Sequence, residues 1–133
     1  MNPHYALVAI RAGHRCEYCH APEAVFNFAF EVEHIVPTSR GGLDVPANWA
    51  LACRCCNLRK AAHVTATDPQ TQAEVPLFHP REDLWEEHFH VDPQTARIEG
   101  LTPTGRAAVD RLEMNSDSQR TARFQWLRLE LFP

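Results

Sequence analysis

The spacing of the cysteines constrains this chain more than any other feature of its sequence. One C-x2-C pair consists of Cys16 and Cys19, and a second pair, separated from the first by residues 20–52, consists of Cys53 and Cys56. Two such pairs supply four thiolates, which suit one tetrahedral Zn²⁺ and leave no coordination position open for a substrate. We therefore predict a structural zinc site that ties the start of the chain to a segment near residue 53.

The fifth cysteine, Cys55, leaves an alternative open. It lies inside the second pair, so Cys53 could be joined at the metal by either Cys55 or Cys56. We interpret Cys55 as a bystander because it breaks the C-x2-C spacing. Two disulfides are another possible use of four cysteines. We disfavour them because the N-terminus, Met1-Asn2-Pro3-His4, has neither the basic stretch nor the long apolar run of a secretory signal.

Length, composition and charge restrict the class of protein. A chain of 133 residues with 44% hydrophobic content can form one domain, or one domain with a small appendage. Its longest apolar run, residues 5–10, is far shorter than the roughly 20 residues that cross a membrane, so we expect a cytoplasmic protein without membrane contact. The net charge is −4, but residues 1–62 carry six basic and five acidic groups. A site for a polyanion is therefore expected in the first half.

Local patterns predict an α+β chain. In the first half we expect a helix that is capped by Asn2 and ends at Gly13. An alternating strand is expected over Phe26–Val36, a short strand over Asn48–Ala52, and a helix over Asn57–Ala62. The alternation places Glu33 and His34 on opposite faces of the strand, so both can serve one site only if the strand ends or bulges there. Pro37 predicts an end nearby.

The second half is expected to form a small hairpin-and-helix extension. The hairpin pairs His88–Val91 with Arg97–Gly100 around an Asp-Pro turn. A helix is expected from Thr102 to Leu112, and a last helix, capped by Ser116 or Asp117, is expected to end near Phe132. The polar stretch Thr65–Gln72 is interpreted as the boundary. We therefore expect a first module over residues 1–66 and an extension over residues 67–133 that packs on it.

The residues between and just after the cysteine pairs carry the candidate chemistry. Glu33 and Asn57 offer oxygen donors that suit a hard cation such as Mg²⁺ or Mn²⁺. His34 can act as a general base near neutral pH. Asn48 follows the Gly41-Gly42 turn and precedes the second cysteine pair. A carboxylate, an imidazole and two carboxamides are thus expected close to one metal-held hairpin and helix.

The order of these motifs is similar to a known family. Cys16 opens C-E-Y-C, Glu33 opens E-H-I-V-P-T-S-R-G-G, Asn48 opens N-W, and Cys53 opens C-R-C-C-N-L-R-K. This pattern resembles the HNH endonucleases of the zinc-knuckle type, and the rest of the chain resembles a group of short stand-alone bacterial HNH proteins. The resemblance implies a ββα-metal nuclease module that hydrolyses phosphodiester bonds in DNA.

The resemblance also implies a role for each matched residue. His34 corresponds to the base that activates water, and Asn48 to the residue that holds the hairpin loop and orients that base. Glu33 and Asn57 correspond to the ligands of a single catalytic Mg²⁺ or Mn²⁺. Asn57 stands where the family often has His, which favours these hard cations. Four basic side chains are expected to contact DNA phosphates: Arg40, Arg54, Arg59 and Lys60.

Two other functions fit the same sequence. A catalytically idle zinc-knuckle module could bind nucleic acid without cutting it, and it would have no need of the intact set of Glu33, His34, Asn48 and Asn57. A toxin-type nuclease would be accompanied by an immunity protein and carried by a larger delivery chain. We expect no organic cofactor. The sequence leaves open whether one or both strands are cut and whether the protein is an oligomer.

Overall fold

The computed structural model describes residues 1–133 and divides into two compact units, Met1–His63 and Val64–Pro133. The first unit contains three short 3₁₀ helices, two α-helices and one pair of strands, of which the α-helices and strands are α1 (Tyr5–Arg11), β1 (Glu31–His34), β2 (Trp49–Ala52) and α2 (Arg54–Lys60). The strands are antiparallel, with Glu31 opposite Ala52 and His34 opposite Trp49. All four residues of β2 are buried. A mixed α/β unit is thus built around a central, covered strand.

The first strand is shorter than the sequence predicts. The alternating aromatic residues before β1 pack on each other, with the Phe26 ring 4.9 Å from the Phe30 ring and 5.7 Å from the Phe28 ring. The buried carboxylate of Glu23 accepts a hydrogen bond from the Phe30 N–H at 2.6 Å. This segment therefore alternates because it forms an aromatic cluster held by a side-chain acceptor. Strand β1 ends at His34, as Pro37 suggests.

The two helices of the first unit begin at other positions than expected. Asn2 Oδ1 accepts from the His4 N–H at 2.7 Å, and α1 starts only at Tyr5. Helix α2 starts at Arg54, three residues earlier than predicted, because Cys53 caps it. The Cys53 Sγ accepts from the N–H of Cys56 at 3.4 Å, a position that Ser, Thr or Asp usually fills with oxygen.

The second unit consists of two hairpins and three helices. Its elements are β3 (Thr65–Thr67), β4 (Glu74–Pro76), α3 (Trp85–His88), β5 (Phe89–Val91), β6 (Ile98–Gly100), α4 (Pro103–Arg111) and α5 (Asp117–Arg128). Each hairpin is antiparallel, β3 with β4 and β5 with β6. None of the helices in either unit combines the length and apolar character needed to cross a bilayer.

Part of this second unit lies where the sequence predicts it. The hairpin of β5 and β6 and the starts of α4 and α5 are at the expected positions, and Thr102 and Ser116 cap the two helices through their side-chain oxygens. Helix α5 ends at Arg128, before the expected end. The hairpin of β3 and β4 differs from the prediction, which places a module boundary at the polar stretch Thr65–Gln72.

That unpredicted hairpin is organised by Asp68. The Asp68 carboxylate is fully buried and accepts hydrogen bonds from the Gln70 N–H at 3.0 Å and the Thr71 hydroxyl at 2.8 Å. The guanidinium of Arg106, on α4, donates to both Asp68 oxygens at 2.9 Å. A polar stretch that looks like a connection is therefore a turn fixed from within its own unit.

Candidate metal centre and active site

The four paired cysteines meet in the first unit. Cys16, Cys19, Cys53 and Cys56 are all buried, and their sulfur atoms lie within 4.8 Å of one another. All are free thiols rather than disulfides, and Cys55 lies outside the cluster. The structure therefore selects Cys56, and not Cys55, as the partner of Cys53.

The sulfur geometry fits zinc. Sulfurs at about 2.3 Å from a tetrahedral Zn²⁺ lie about 3.8 Å from one another. The Cys19 and Cys53 sulfurs are 3.8 Å apart. The remaining sulfur pairs also lie within 4.8 Å of one another, and all four cysteines are buried. The donor set suits a structural Zn²⁺ that joins the turn after α1 to the start of α2.

The loop between β1 and β2 is held by one carboxamide. Asn48 is buried, and its Oδ1 accepts from the Val36 N–H at 2.9 Å. Its Nδ2 donates to the carbonyls of Val36 at 2.9 Å and Leu43 at 2.8 Å. Gly42 is needed beside this contact because a Cβ there would lie 1.8 Å from the Val36 oxygen. Asn48 thus fixes the backbone that follows His34.

His34, at the end of β1, presents one free nitrogen. Its side chain is 33% exposed, and its Nε2 lies 2.9 Å from Asp44 Oδ1. The same oxygen accepts from the indole N–H of Trp49 at 2.9 Å. These two hydrogen bonds, the one from His34 first, lower the pKa of Asp44 below its ordinary value. The His34 Nδ1 has no hydrogen-bond partner in the structure.

Glu33 lies in a different environment from the neighbouring His34. Its carboxylate is buried, accepts a hydrogen bond from the Tyr18 hydroxyl, and lies 3.4 Å from the Lys60 ammonium. Burial raises the pKa of Glu33, and the positive charge of Lys60 opposes that rise. Glu33 and His34 therefore contact different groups at the point where β1 ends.

The position of Lys60 does not fit the contact predicted for it. We expected it to contact DNA phosphate, but it is only 1% exposed, and its ammonium donates to the Ile35 carbonyl at 2.7 Å. The Lys60 ammonium therefore interacts with Glu33 and with a backbone oxygen inside the unit. The sequence could not show this, because a basic residue in the last turn of a helix is most often solvated.

The Asn57 side chain contacts the carboxylate of Glu31 on β1, which is not among the site residues predicted from the sequence. The Asn57 amide on α2 donates to the carboxylate of Glu31 on β1. Glu31 is exposed, whereas Glu33 is covered. Both glutamates share one face of the strand because they are two residues apart. That parity is the signal that could have identified Glu31 as a second candidate oxygen donor.

The oxygen donors fit a hard cation in part. The carboxamide of Asn57 and the exposed carboxylate of Glu31 are in contact and reachable from solvent. The third donor, Glu33, is engaged by Lys60. Carboxylate and carboxamide oxygens are the donors that Mg²⁺ and Mn²⁺ prefer.

The three arginines predicted to contact phosphate differ in accessibility. Arg40 and Arg54 are exposed, and Arg59 is partly buried. The Arg40 side chain donates to the Ala62 carbonyl at 2.6 Å through Nε, which leaves its terminal nitrogens free to contact a ligand. Arg54 occupies the first position of α2, next to the cysteine cluster.

Comparison with known protein families finds one match, which lies within the first unit. The model of the HNH endonuclease family matches residues 16–63, a segment that begins at the first zinc-site cysteine and ends with the first compact unit. Neither a curated protein nor a solved structure matches the chain. Residues 16–63 are therefore similar to the HNH endonuclease family, and this segment contains all four clustered cysteines, which are suited to a structural zinc.

Proposed function

We propose that this protein is a metal-dependent endonuclease that hydrolyses phosphodiester bonds in DNA. The observation that carries the proposal is the state of His34 within the HNH segment: one imidazole nitrogen is anchored by Asp44 and the other is free beside solvent. A buried histidine that only supports the core would have both nitrogens engaged or covered. The order of β1, β2 and α2 supports a ββα-metal arrangement of this site.

His34 acts as the general base in this proposal. Its Nδ1 takes a proton from a water molecule, and the water oxygen attacks phosphorus while the bond to the 3′ oxygen breaks. Imidazole suits this role because its ordinary pKa lies near neutral pH. The products carry 5′-phosphate and 3′-hydroxyl ends, as the family resemblance implies. Asn48 supports the step indirectly, because it holds the backbone of the loop that follows His34.

A divalent cation is proposed beside Asn57, where the end of β1 at His34 allows the cation and the base to act on one phosphate. When bound, Mg²⁺ or Mn²⁺ would offset the negative charge that develops on the phosphate and the leaving oxygen. Asn57 would hold it together with carboxylate oxygens of Glu33, as the family resemblance implies, and of Glu31, which already contacts Asn57. Glu31 is the more accessible donor, because Glu33 contacts Lys60.

Phosphate contacts are proposed for Arg40, Arg54 and Arg59. Arginine suits phosphate because its planar guanidinium offers several donors. The exposed residues Arg40 and Arg54 are expected to contribute more to phosphate binding than the partly buried Arg59. Lys60 is left out of this set because it is buried.

Incubation with supercoiled plasmid tests the proposal. We expect cleavage with Mg²⁺ or Mn²⁺ and none with excess EDTA. The His34→Ala variant should lose about 10²- to 10⁴-fold in rate, as is usual when a general base is removed. It should keep its zinc content and its affinity for DNA. Equal cleavage by His34→Ala and the unchanged protein would refute the role of His34.

A metal titration separates the base from the cation ligands. Asn57→Ala and Glu31→Ala should weaken the cation, so a higher Mn²⁺ concentration should restore part of their cleavage rate. The same titration should not rescue His34→Ala, because added metal does not replace a proton acceptor. Glu33→Gln is the matched comparison, and rescue of this variant but not of Glu31→Ala would assign the carboxylate to Glu33. Tight DNA binding without any cleavage would instead favour the idle binding module.

A further inference from the structure

Asp44 occupies an unusual position for an exposed loop residue. Its carboxylate is 66% exposed, yet one of its oxygens receives both the Trp49 Nε1–H and the His34 Nε2 at 2.9 Å. Trp49 is only 5% exposed and lies opposite His34 in the β1–β2 ladder. The buried indole N–H of Trp49 thus holds the exposed carboxylate of Asp44 against the imidazole of His34. The loop backbone is restrained as well, because Asn48 binds the carbonyl of Leu43, the residue before Asp44.

The chemistry of these groups assigns the donor. An ionised carboxylate only accepts hydrogen bonds, and the hydrogen bonds to Asp44 favour its ionised form by lowering its pKa. The His34 Nε2 must therefore carry the hydrogen in the contact with Asp44. A neutral imidazole has one N–H, so the lone pair lies on Nδ1, the nitrogen that has no partner.

We propose that Asp44 is a positioning residue that fixes the orientation and tautomer of His34 and so presents Nδ1 to the attacking water. This inference rests on the proposed nuclease function and deepens it. Asp44 does not touch the reacting atoms and acts only through His34. Trp49 is the group that holds Asp44 in place.

Single-turnover cleavage by Asp44→Ala gives the first test. Partners that orient a functional histidine usually contribute about 10- to 100-fold, and the exposure of Asp44 places its effect near the lower bound. We expect a loss of about tenfold in the maximal rate at saturating enzyme, with little change in the protein concentration that gives half the maximal rate. Val45→Ala, which alters the next exposed side chain of the same loop, is the matched control and should cleave at the unchanged rate.

Long-range ¹H–¹⁵N correlation spectra of the His34 imidazole give the second test. For the neutral form of the ring they should place the hydrogen on Nε2 in the unchanged protein and show a mixture of both tautomers in Asp44→Ala. A merely structural role of the loop would lower cleavage without changing this ratio, and that result would overturn the proposal.

The two tests separate this inference from the proposed function. If His34→Ala is inactive while Asp44→Ala cleaves at the unchanged rate, the endonuclease function stands and the positioning role is wrong. If the unchanged protein does not cleave DNA at all, the endonuclease function fails and the role of Asp44 in it fails too.

Discussion

The two compact units stabilise their short elements in different ways. In Met1–His63 the buried groups include four thiols, an ion pair of Glu33 with Lys60, and the Asn48 carboxamide. In Val64–Pro133 there is no cysteine. There the buried polar groups are Asp68, bound by Arg106, and Arg123.

The buried arginine of the second unit satisfies backbone oxygens. Arg123 on α5 is fully buried and donates to the carbonyls of Ala96 at 2.7 Å and Met114 at 2.6 Å. Asp68 likewise receives its donors from within the unit. The first unit thus contains a set of cysteines suited to a metal ion, whereas Asp68 and Arg123 of the second unit are bound by groups of that unit itself. All candidate catalytic residues lie in the unit that contains the four-cysteine cluster.

Removal of zinc should give the largest difference between the units. Structural zinc contributes about 10 kcal/mol or more of binding free energy in small zinc modules, so a Cys56→Ser variant should lose both zinc and the fold of the first unit. Cys55→Ser is the matched control and should keep both. Elemental analysis and residue-resolved hydrogen exchange measure the outcome, and amide protection in residues 64–133 should fall much less. Retention of zinc by Cys56→Ser would contradict the assigned ligand set.

Loss of the Asp68 contacts should destabilise the second unit and not the first. Asp68→Ala removes the acceptor of the Arg106 guanidinium and should lower the melting midpoint of the second unit by several degrees. Zinc content should be unchanged. Glu82→Ala, an exposed acidic residue of the same unit, is the control. An unchanged midpoint in Asp68→Ala would show that the buried contact adds nothing.

The same contact predicts a pH dependence. Hydrogen bonds from Arg106 hold the pKa of Asp68 well below its ordinary value. A depressed folded-state pKa stabilises the fold above the unfolded value of about 3.9, and this contribution is lost as the pH falls below it toward the folded pKa. We expect the difference in midpoint between the unchanged protein and Asp68→Ala to shrink in that acid range. Thermal melts at several pH values measure it.

Asn48→Ala should have an intermediate effect, confined to the first unit. The substitution leaves the carbonyls of Val36 and Leu43 and the Val36 N–H without their partner, at a cost of about 1–3 kcal/mol for a buried hydrogen-bonding group. Denaturant unfolding measures the loss, and zinc should stay bound. The cleavage rate should also fall, because the loop between β1 and β2 becomes less ordered. Ala47→Ser, at the preceding exposed position, should change neither property.

Arg54→Ala should have the smallest effect, on DNA affinity alone. Loss of one phosphate contact should weaken binding to all sequences similarly and reduce the slope of log affinity against log salt by about 1. Arg128→Ala, an exposed arginine of the second unit, is the matched control and should leave the slope unchanged. Equal effects of both variants would show that DNA contacts both units.

The sequence predicted the features that depend on local spacing. The four zinc-site cysteines, the end of β1 near Pro37 and the caps at Thr102 and Ser116 follow from patterns a few residues long. The alternation of Phe26, Phe28 and Phe30 misled the prediction, because side chains that pack on one another can alternate without a partner strand.

The features that the sequence did not predict depend on distant partners. Asp68 forms a turn instead of a linker because Arg106 binds it. Lys60 is buried because Glu33 and the Ile35 carbonyl receive its charge. The role of Asp44 depends on Trp49, five residues away, and on the strand register that brings His34 to the same place. No local pattern marks such residues, since each pair is joined only by the completed fold.

The position of Cys53 and Cys56 at the start of α2 sets the rotational phase of that helix. Each residue of an α-helix turns the chain by about 100° and advances it by about 1.5 Å. Because both cysteines belong to the four-cysteine cluster, the direction of Asn57 is set by its position one residue after Cys56. If one residue were inserted between Cys56 and Asn57, the carboxamide would point away from Glu31. It would then point in about the same direction as the exposed side chain of Leu58. The cysteine cluster therefore serves as an angular reference for the candidate site, although none of its atoms has to touch a substrate.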